Sequence, residues 1–141
     1  MVVILLDFIK TASNLRLTTD FWKAAEIPKE AVIRPLCSPL FAWVIENLCK
    51  NAVDAMPEGK GNIKVSLFVE QEKAIIEVQD NGKGIAKNKL KTIFEAGYTT
   101  KKRGWGLGLT LVKRIIEQYH HGKIFVKSST IGKGTVFRIE I

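Results

Sequence analysis

The sequence predicts an α+β domain, a two-layer α/β sandwich in which helices cover one face of a mixed, largely antiparallel sheet. Segments that alternate apolar and polar residues come in pairs joined by short polar links, which is typical of β-hairpins. Two longer segments repeat their apolar residues at helical spacing instead. Because 141 residues suit one core, residues 1–141 are predicted to form a single domain.

The amino-terminal region is the least informative part of the chain. Residues 2–17 have the apolar pattern of a helix, and residues 31–34 have that of a short strand. Residues 1–30 otherwise match no specific pattern and are poorly assigned.

Helices are predicted at two further places. The first begins at Ser38 and Pro39, because a capping residue followed by proline is a start signal, and it ends near Met56. The second begins within the stretch 103–111, "RGWGLGLTL", and runs to about His120. Their apolar faces comprise Leu40, Val44, Ile45, Leu48, Ala52 and Met56 in the first, and Val112, Ile115, Ile116 and Tyr119 in the second. The four strands comprise residues 62–70, 74–80, 123–129 and 134–141.

The charge distribution favours an anionic ligand. The net charge is +8, and ten Lys or Arg residues stand between Lys83 and Lys123 against two acids, Glu95 and Glu117. Such a segment attracts phosphate or nucleic acid. It lacks the interleaved aromatic residues of a base-stacking surface, so we do not expect nucleic acid as a partner.

Several other classes are not expected. The apolar runs are too short to cross a bilayer and no signal peptide is evident, so a cytoplasmic domain without membrane contact is predicted. Cys37 and Cys49 lack the spacing of a metal site and are expected to be reduced thiols in the core.

Three short polar side chains form a stripe on the first helix. Asn47, Asn51 and Asp54 recur at spacings of four and three, although asparagine and aspartate are poor helix-interior residues. Amide and carboxylate oxygens suit Mg²⁺, which completes its shell with water and phosphate. A plain solvent-facing stripe is the alternative.

The segment "VQDNGKGI" places a carboxylate at a strand end. Asp80 is followed by Gly82 and Gly84, where backbone without a Cβ could be approached by a flat ring. A simple tight turn is the alternative. A calcium loop is excluded, because Lys91 stands where its last ligand must be a glutamate.

The glycine-rich stretch 103–111 fits none of the standard phosphate-binding motifs. It lacks the Gly-Lys-Ser/Thr of a Walker A loop, the third glycine of a dinucleotide fingerprint and the signatures of protein kinases. Glycines at a helix start nevertheless expose N–H groups to phosphate, and Lys101, Lys102 and Arg103 precede them. A polyphosphate ligand is therefore predicted here.

Five segments together resemble the N, G1, F, G2 and G3 boxes of the catalytic ATP-binding domain of bacterial sensor histidine kinases. They are "ENLCKNAVDAM", "VQDNGKGI", "IFEAGYTTK", "RGWGLGLTLVKRIIEQYHHGKIFVKSS" and "GKGT", in the family's order, within residues 36–141. The resemblance implies the Bergerat ATP-binding fold, shared with gyrase and the MutL repair proteins, with a mobile ATP lid at about residues 87–103.

The resemblance also implies roles for residues around the metal and phosphates. Asn51 would be the Mg²⁺ ligand, Asn47 would lie near the phosphates or a metal-bound water, and Lys50 and Asp54 would be neighbours of the phosphates or metal. The implied catalytic residues are Asn47, Asn51 and Lys101. The lid would include Thr99, Thr100 and Lys101, and the phosphate cradle would comprise Gly104, Gly106, Gly108 and the N–H groups of Leu107 and Leu109.

At the base end, the resemblance implies that Asp80 accepts a hydrogen bond from the adenine amine. Gly82 and Gly84 would let the ring approach, with Ile85 in the same nucleotide-binding set and Thr135 near the adenine. Phe94 matches the F-box aromatic residue, either as an anchor of the lid in the core or with a direct part in catalysis.

Two features depart from the family pattern. Trp105 stands where the family usually has a small residue. No segment resembles the dimerisation and phosphoacceptor domain, and His120 and His121 are expected to terminate a helix rather than to accept phosphate. The implied partners are therefore ATP, that domain of a parent kinase, which could be membrane-anchored, and a downstream response regulator.

The position of Asn47 bears on the choice between kinase and hydrolase. Hydrolases that resemble gyrase or MutL carry a glutamate there to activate water, whereas Glu46 points about 100° away around the helix. Phosphoryl transfer needs mostly positioning and charge neutralisation, so the lack of such a base is compatible with the histidine kinase domain that the resemblance implies. A serine kinase resembling the anti-sigma-factor regulators and a non-catalytic ATP-binding module are the alternatives.

Overall fold

The computed structural model describes residues 37–57, 61–97 and 106–141 of the chain. Helix α1 is Ser38–Ala55, and helix α2 is Gly108–Arg114 and continues as a π-helical turn, Ile115–Tyr119. The strands are β1 (Ile63–Glu70), β2 (Lys73–Asp80), β3 (Lys123–Thr130) and β4 (Gly134–Glu140). The predicted helix at residues 2–17, the predicted strand at 31–34 and residues 98–103 of the predicted lid lie outside the described residues.

The four described strands form one sheet in the order β1-β2-β4-β3, and each neighbouring pair is antiparallel. Both helices pack on the same face of this sheet, so the predicted α+β sandwich is confirmed. The β1–β2 hairpin turns through Gln71 and Glu72, whose φ angles of 49° and 61° suit a tight two-residue turn.

The core lies between the helices and the inner face of the sheet. Alternate residues of each strand point inward, so Ile76 on β2 faces Ile139 on β4, and Val78 faces Phe137. The fully buried side chains of the helices include Phe41, Val44, Leu48, Val112 and Ile116. Phe41 was absent from the predicted face of α1, where it adds the largest of these side chains.

Tyr119 was predicted to lie on the apolar stripe of α2, and this prediction is wrong. Its side chain is 59% exposed, while His120 is buried. The cause is the π-helical turn Ile115–Tyr119, whose wider turn changes the rotation per residue and moves Tyr119 off the core face. Val112, Ile115 and Ile116 precede this change and are buried as predicted.

The two cysteines differ from their common prediction. Both are free thiols, but Cys37 is exposed just before α1 and only Cys49 is in the core. Cys37 precedes the first turn of α1, so it is not on the face of the helix that packs against the sheet. Cys49 lies beside the buried Leu48 and Ala52 of that helix. Cys49 alone is therefore a core residue.

Candidate functional site

Asp80 is the last residue of β2 and is only 5% exposed. Its Oδ1 accepts a hydrogen bond of 2.8 Å from the Gly82 N–H, and the Thr135 backbone N–H also bonds to the carboxylate. Burial raises the pKa of Asp80 above its usual value, although these two hydrogen bonds act in the opposite direction. The strand end thus holds a hydrogen-bond acceptor in a fixed position.

The loop after Asp80 lies against the carboxyl end of α1. A Cβ at Gly82 would be 2.6 Å from the Ala55 carbonyl oxygen, and the Lys83 N–H donates a 2.8 Å hydrogen bond to that oxygen. Gly84 has a φ of +72°, and a Cβ there would collide with the Thr130 carbonyl oxygen. Contacts within the protein therefore explain both glycines, and the approach of a ring to them stays a prediction.

Ser129, which is not among the predicted site residues, lies on β3 opposite Thr135 on β4. Its Oγ is 2.8 Å from the Thr135 Oγ1 and accepts a 2.7 Å hydrogen bond from the Ile85 N–H. Thr135 is buried and Ile85 is half-buried, so the structure brings both predicted base-end residues next to this serine. The sequence signal was weak, because the pairing depends on a register shift between Val126 and Ser128.

At the other end of the site, α1 meets the first turn of α2. A Cβ at Gly108 would be 2.6 Å from the Asn47 Oδ1, so a larger residue there would require the Asn47 side chain to shift. The predicted polar stripe runs from this contact along α1 through half-buried Asn51 to exposed Asp54. From Asn47 to Ala55, at the loop after Asp80, α1 rises roughly 12 Å.

Lys50 lies beside this stripe. Its Nζ is 2.6 Å from the Glu46 Oε1 in an ion pair one helical turn apart, and its side chain is 60% exposed. A phosphate contact by Lys50 stays a prediction and would compete with this pair.

The start of α2 is linked to the preceding segment through Gly106. The Gly97 N–H donates a 3.1 Å hydrogen bond to the Gly106 carbonyl oxygen, and Gly106 has a φ of +66°. Leu107 is exposed and Leu109 is half-buried at this helix start. The predicted site residues Thr99, Thr100, Lys101 and Gly104 lie outside the described residues.

Phe94 lies within residues 87–97, the described part of the predicted lid. Its ring packs edge-on against Phe137 of β4, with ring centroids 6.3 Å apart. The Thr110 hydroxyl of α2 donates a 3.1 Å hydrogen bond to the Phe94 carbonyl oxygen. These contacts favour the prediction of an anchoring residue for Phe94.

The described residues contain no group of three or more His, Cys, Asp or Glu side chains that could hold a metal ion. Asn51 fits Mg²⁺ only as one oxygen donor beside the oxygens of a phosphate ligand and water. In the same described parts of the chain, no helix is long and apolar enough to cross a membrane.

Comparison with known proteins identifies the family. Residues 38–141 match the family of histidine kinase-, DNA gyrase B- and HSP90-like ATPases. The chain is 46% identical over 99 residues to sporulation kinase E of Bacillus subtilis, which covers 70% of this chain and 13% of that protein. It is 47% identical over 97 residues to the sensor histidine kinase ZraS of Salmonella typhimurium, which covers 68% of this chain and 20% of that protein. Among solved structures, the catalytic domain of histidine kinase ThkA has a TM-score of 0.79 at 28% identity, covering 99% of this chain and 92% of that one.

The chain therefore belongs to the family of histidine kinase-, DNA gyrase B- and HSP90-like ATPases, which confirms the resemblance seen in its sequence. ZraS and ThkA are named as histidine kinases and the third relative as a kinase, so the alternatives of a serine kinase or a non-catalytic module are not favoured. The chain spans 13% and 20% of the length of the two kinases it matches. It corresponds to their ATP-binding catalytic domain rather than to the whole proteins.

Proposed function

We propose that this domain binds Mg²⁺-ATP and supplies the γ-phosphate to a histidine on a separate dimerisation and phosphoacceptor domain. The observation that carries the proposal is the contact of Asn47 with Gly108, because it brings the polar stripe of α1 against the glycine start of α2. A helix start exposes N–H groups that bind phosphate, and the stripe supplies oxygens for a cation. A metal-bound triphosphate requires both hydrogen-bond donors for its phosphates and oxygen ligands for its cation.

We assign the two ends of the ligand to the two ends of the stretch of α1 from Asn47, next to Gly108, to Ala55, next to the loop after Asp80. Asp80 would accept a hydrogen bond from the adenine amine. The base would be surrounded by Gly82, Gly84, Ile85 and Thr135. The phosphates would be held by Gly104, Gly106, Gly108 and the N–H groups of Leu107 and Leu109, and the predicted lid would contribute Thr99, Thr100 and Lys101. Asn51 would bind the metal and Asn47 would hold a metal-bound water or a phosphate oxygen, while Lys50 and Asp54 would lie beside them. Mg²⁺, when bound, would neutralise charge on the phosphates.

Among the described residues where α1 meets α2, neither Asn47 nor Glu46 is suited to act as the base for hydrolysis. Asn47, which touches Gly108, is an amide and does not accept a proton at neutral pH. The neighbouring Glu46, which pairs with Lys50 at 2.6 Å, lies about 100° around the helix from Asn47 and so points away from Gly108. A site of this kind positions ATP for a nucleophile that another domain brings, and phosphoryl transfer depends chiefly on such positioning.

Phosphotransfer in trans tests the proposal. The chain is mixed with labelled Mg²⁺-ATP and the phosphoacceptor domain of its parent kinase, and we expect acid-labile label on the histidine of that domain. Asn51→Ala should abolish the transfer, while Ser128→Ala, at an exposed position on β3, should not change it. Nucleotide binding without any transfer would instead support a non-catalytic module.

The remaining partners follow from this role. A response regulator would receive the phosphoryl group from the phosphoacceptor histidine. The domain would work in the cytoplasm, where ATP is available.

A further inference from the structure

The hydroxyl of Ser129 joins three segments at the Asp80 end of the site. It accepts a 2.7 Å hydrogen bond from the Ile85 N–H and lies 2.8 Å from the Thr135 Oγ1. It also donates a 3.3 Å hydrogen bond to the Gly134 carbonyl oxygen. A serine hydroxyl has one proton and two lone pairs, so these contacts use its full capacity.

One of these contacts leads to Thr135, which is bonded to Asp80, and another leads to the loop that follows Asp80. The backbone N–H of Thr135 bonds to the Asp80 carboxylate, and the Thr135 side chain is buried. Ile85 ends the loop that begins after Asp80. That loop is held near its start by the bond from the Gly82 N–H to Asp80, and at its end by the bond to Ser129.

We propose that Ser129 is a positioning residue for base recognition. It fixes the backbone of Ile85 and the hydroxyl of Thr135, and through them the setting in which Asp80 distinguishes adenine from guanine. This inference rests on the proposed function and deepens it, because it assigns base selectivity to a residue that need not touch the nucleotide.

The physical argument is that selectivity requires fixed partners. A carboxylate can only accept hydrogen bonds, so it suits the adenine amine and not the guanine carbonyl. This difference is expressed fully only where the neighbouring groups cannot move to relieve a mismatch. Without Ser129, the Ile85 N–H loses its partner and the Thr135 hydroxyl becomes free to rotate, so the pocket can adapt to either base.

The test measures ATP and GTP affinities of the whole chain by titration calorimetry. Ser129→Cys keeps nearly the same volume with much weaker hydrogen bonds, and Ser129→Ala removes them. In both variants we expect ATP binding to weaken about tenfold, the equivalent of one buried hydrogen bond, with GTP binding nearly unchanged. Ser129→Thr, which retains the hydroxyl, should keep the preference for ATP. Ser128→Ala is the matched control, because the side chain of Ser128 is exposed and pairs with Val136 on the outer face of the sheet.

The outcomes separate this inference from the proposed function. A wild-type chain that binds neither nucleotide overturns the proposed function and this inference with it. A wild-type chain that prefers ATP supports the proposed function, whatever the variants do. Variants that keep the wild-type ratio of the two affinities, or that lose both affinities equally as a general structural defect would, overturn the role of Ser129 alone.

Discussion

The two cysteines have opposite surroundings within one short stretch of chain. Cys37 is exposed, whereas burial raises the pKa of the Cys49 thiol to about 11. The thiolate is the reactive form, so Cys49 should be inert in the folded protein. We expect a disulfide reagent at pH 8 to modify one thiol in the native chain and two in urea. Cys37→Ser should remove the native reaction, and a rapid second reaction without urea would show that Cys49 is accessible.

Asp80 makes stability depend on pH in a direction opposite to that of most carboxylates. Its pKa is raised in the folded protein, chiefly by burial, so the folded state binds the proton more tightly than the unfolded chain does. The stabilisation is present below the unfolded pKa of about 3.9 and is lost as the pH rises through the folded pKa. Asp80→Asn removes this titration, so its unfolding free energy relative to wild type should increase as the pH rises above about 4.

Urea unfolding at a series of pH values measures this difference, and Asp54→Asn, which removes an exposed carboxylate of α1, serves as the control. The Asp80→Asn variant should also lose its preference for ATP over GTP. A relative stability that falls with pH would mean that the hydrogen bonds from Gly82 and Thr135 outweigh burial.

At the scale of the elements, His120 connects the end of one helix to the start of the other. Its Nδ1 lies 3.0 Å from the Ile115 carbonyl oxygen, and its Nε2 accepts a 3.2 Å hydrogen bond from the Cys37 N–H. The ring also packs edge-on against Phe41, with centroids 5.5 Å apart. Both hydrogen bonds require the neutral tautomer with its proton on Nδ1.

Removing this link should destabilise the whole domain. We expect His120→Ala to lower the unfolding free energy by about 1–3 kcal/mol, because two backbone groups lose their partner. Urea denaturation measures the loss. His121→Asn is a suitable control, since His121 is exposed and asparagine tolerates its φ of 51°. An unchanged midpoint for His120→Ala would show that water replaces the imidazole without cost.

The same elements show which features a sequence can reveal. The bounds of α1 and the strand that ends at Asp80 follow from local signals, namely proline at a helix start and alternation of apolar residues. The bond from Cys37 to His120 joins residues 83 positions apart, and the contacts of Ser129 depend on the register of β3 against β4. The exposure of Tyr119 depends on one wide helical turn. Such features arise from tertiary packing, so local patterns do not predict them.

At the scale of the whole molecule, the domain should be nearly silent as an enzyme when alone. Holding a nucleophile in place contributes on the order of 7–11 kcal/mol to lowering a barrier, and a domain separated from its histidine loses this contribution. We expect slow ATP hydrolysis and no label on His120 or His121. Transfer should appear when the parent phosphoacceptor domain is added at high concentration.

Asn47→Glu tests why hydrolysis is slow. A carboxylate at this position, in contact with Gly108, could accept a proton from water, so the turnover of ATP should rise while transfer to histidine does not. Asn47→Gln is the matched control of similar size without a base. Release of phosphate from labelled ATP measures the change, and rapid turnover by the unmodified chain would place it with the hydrolases.

The irregularity in β3 affects how the sheet can pair with other protein chains. β3 is at one end of the order of the described strands, and the shift between Val126 and Ser128 interrupts its ladder. Exposed Lys123 and Lys127 lie on the same strand. Bulges and lysines on an outer strand prevent another chain from adding itself to the sheet, which is the first step of edge-to-edge aggregation. This end of the sheet is therefore protected against intermolecular β-pairing at the high concentrations that transfer in trans demands.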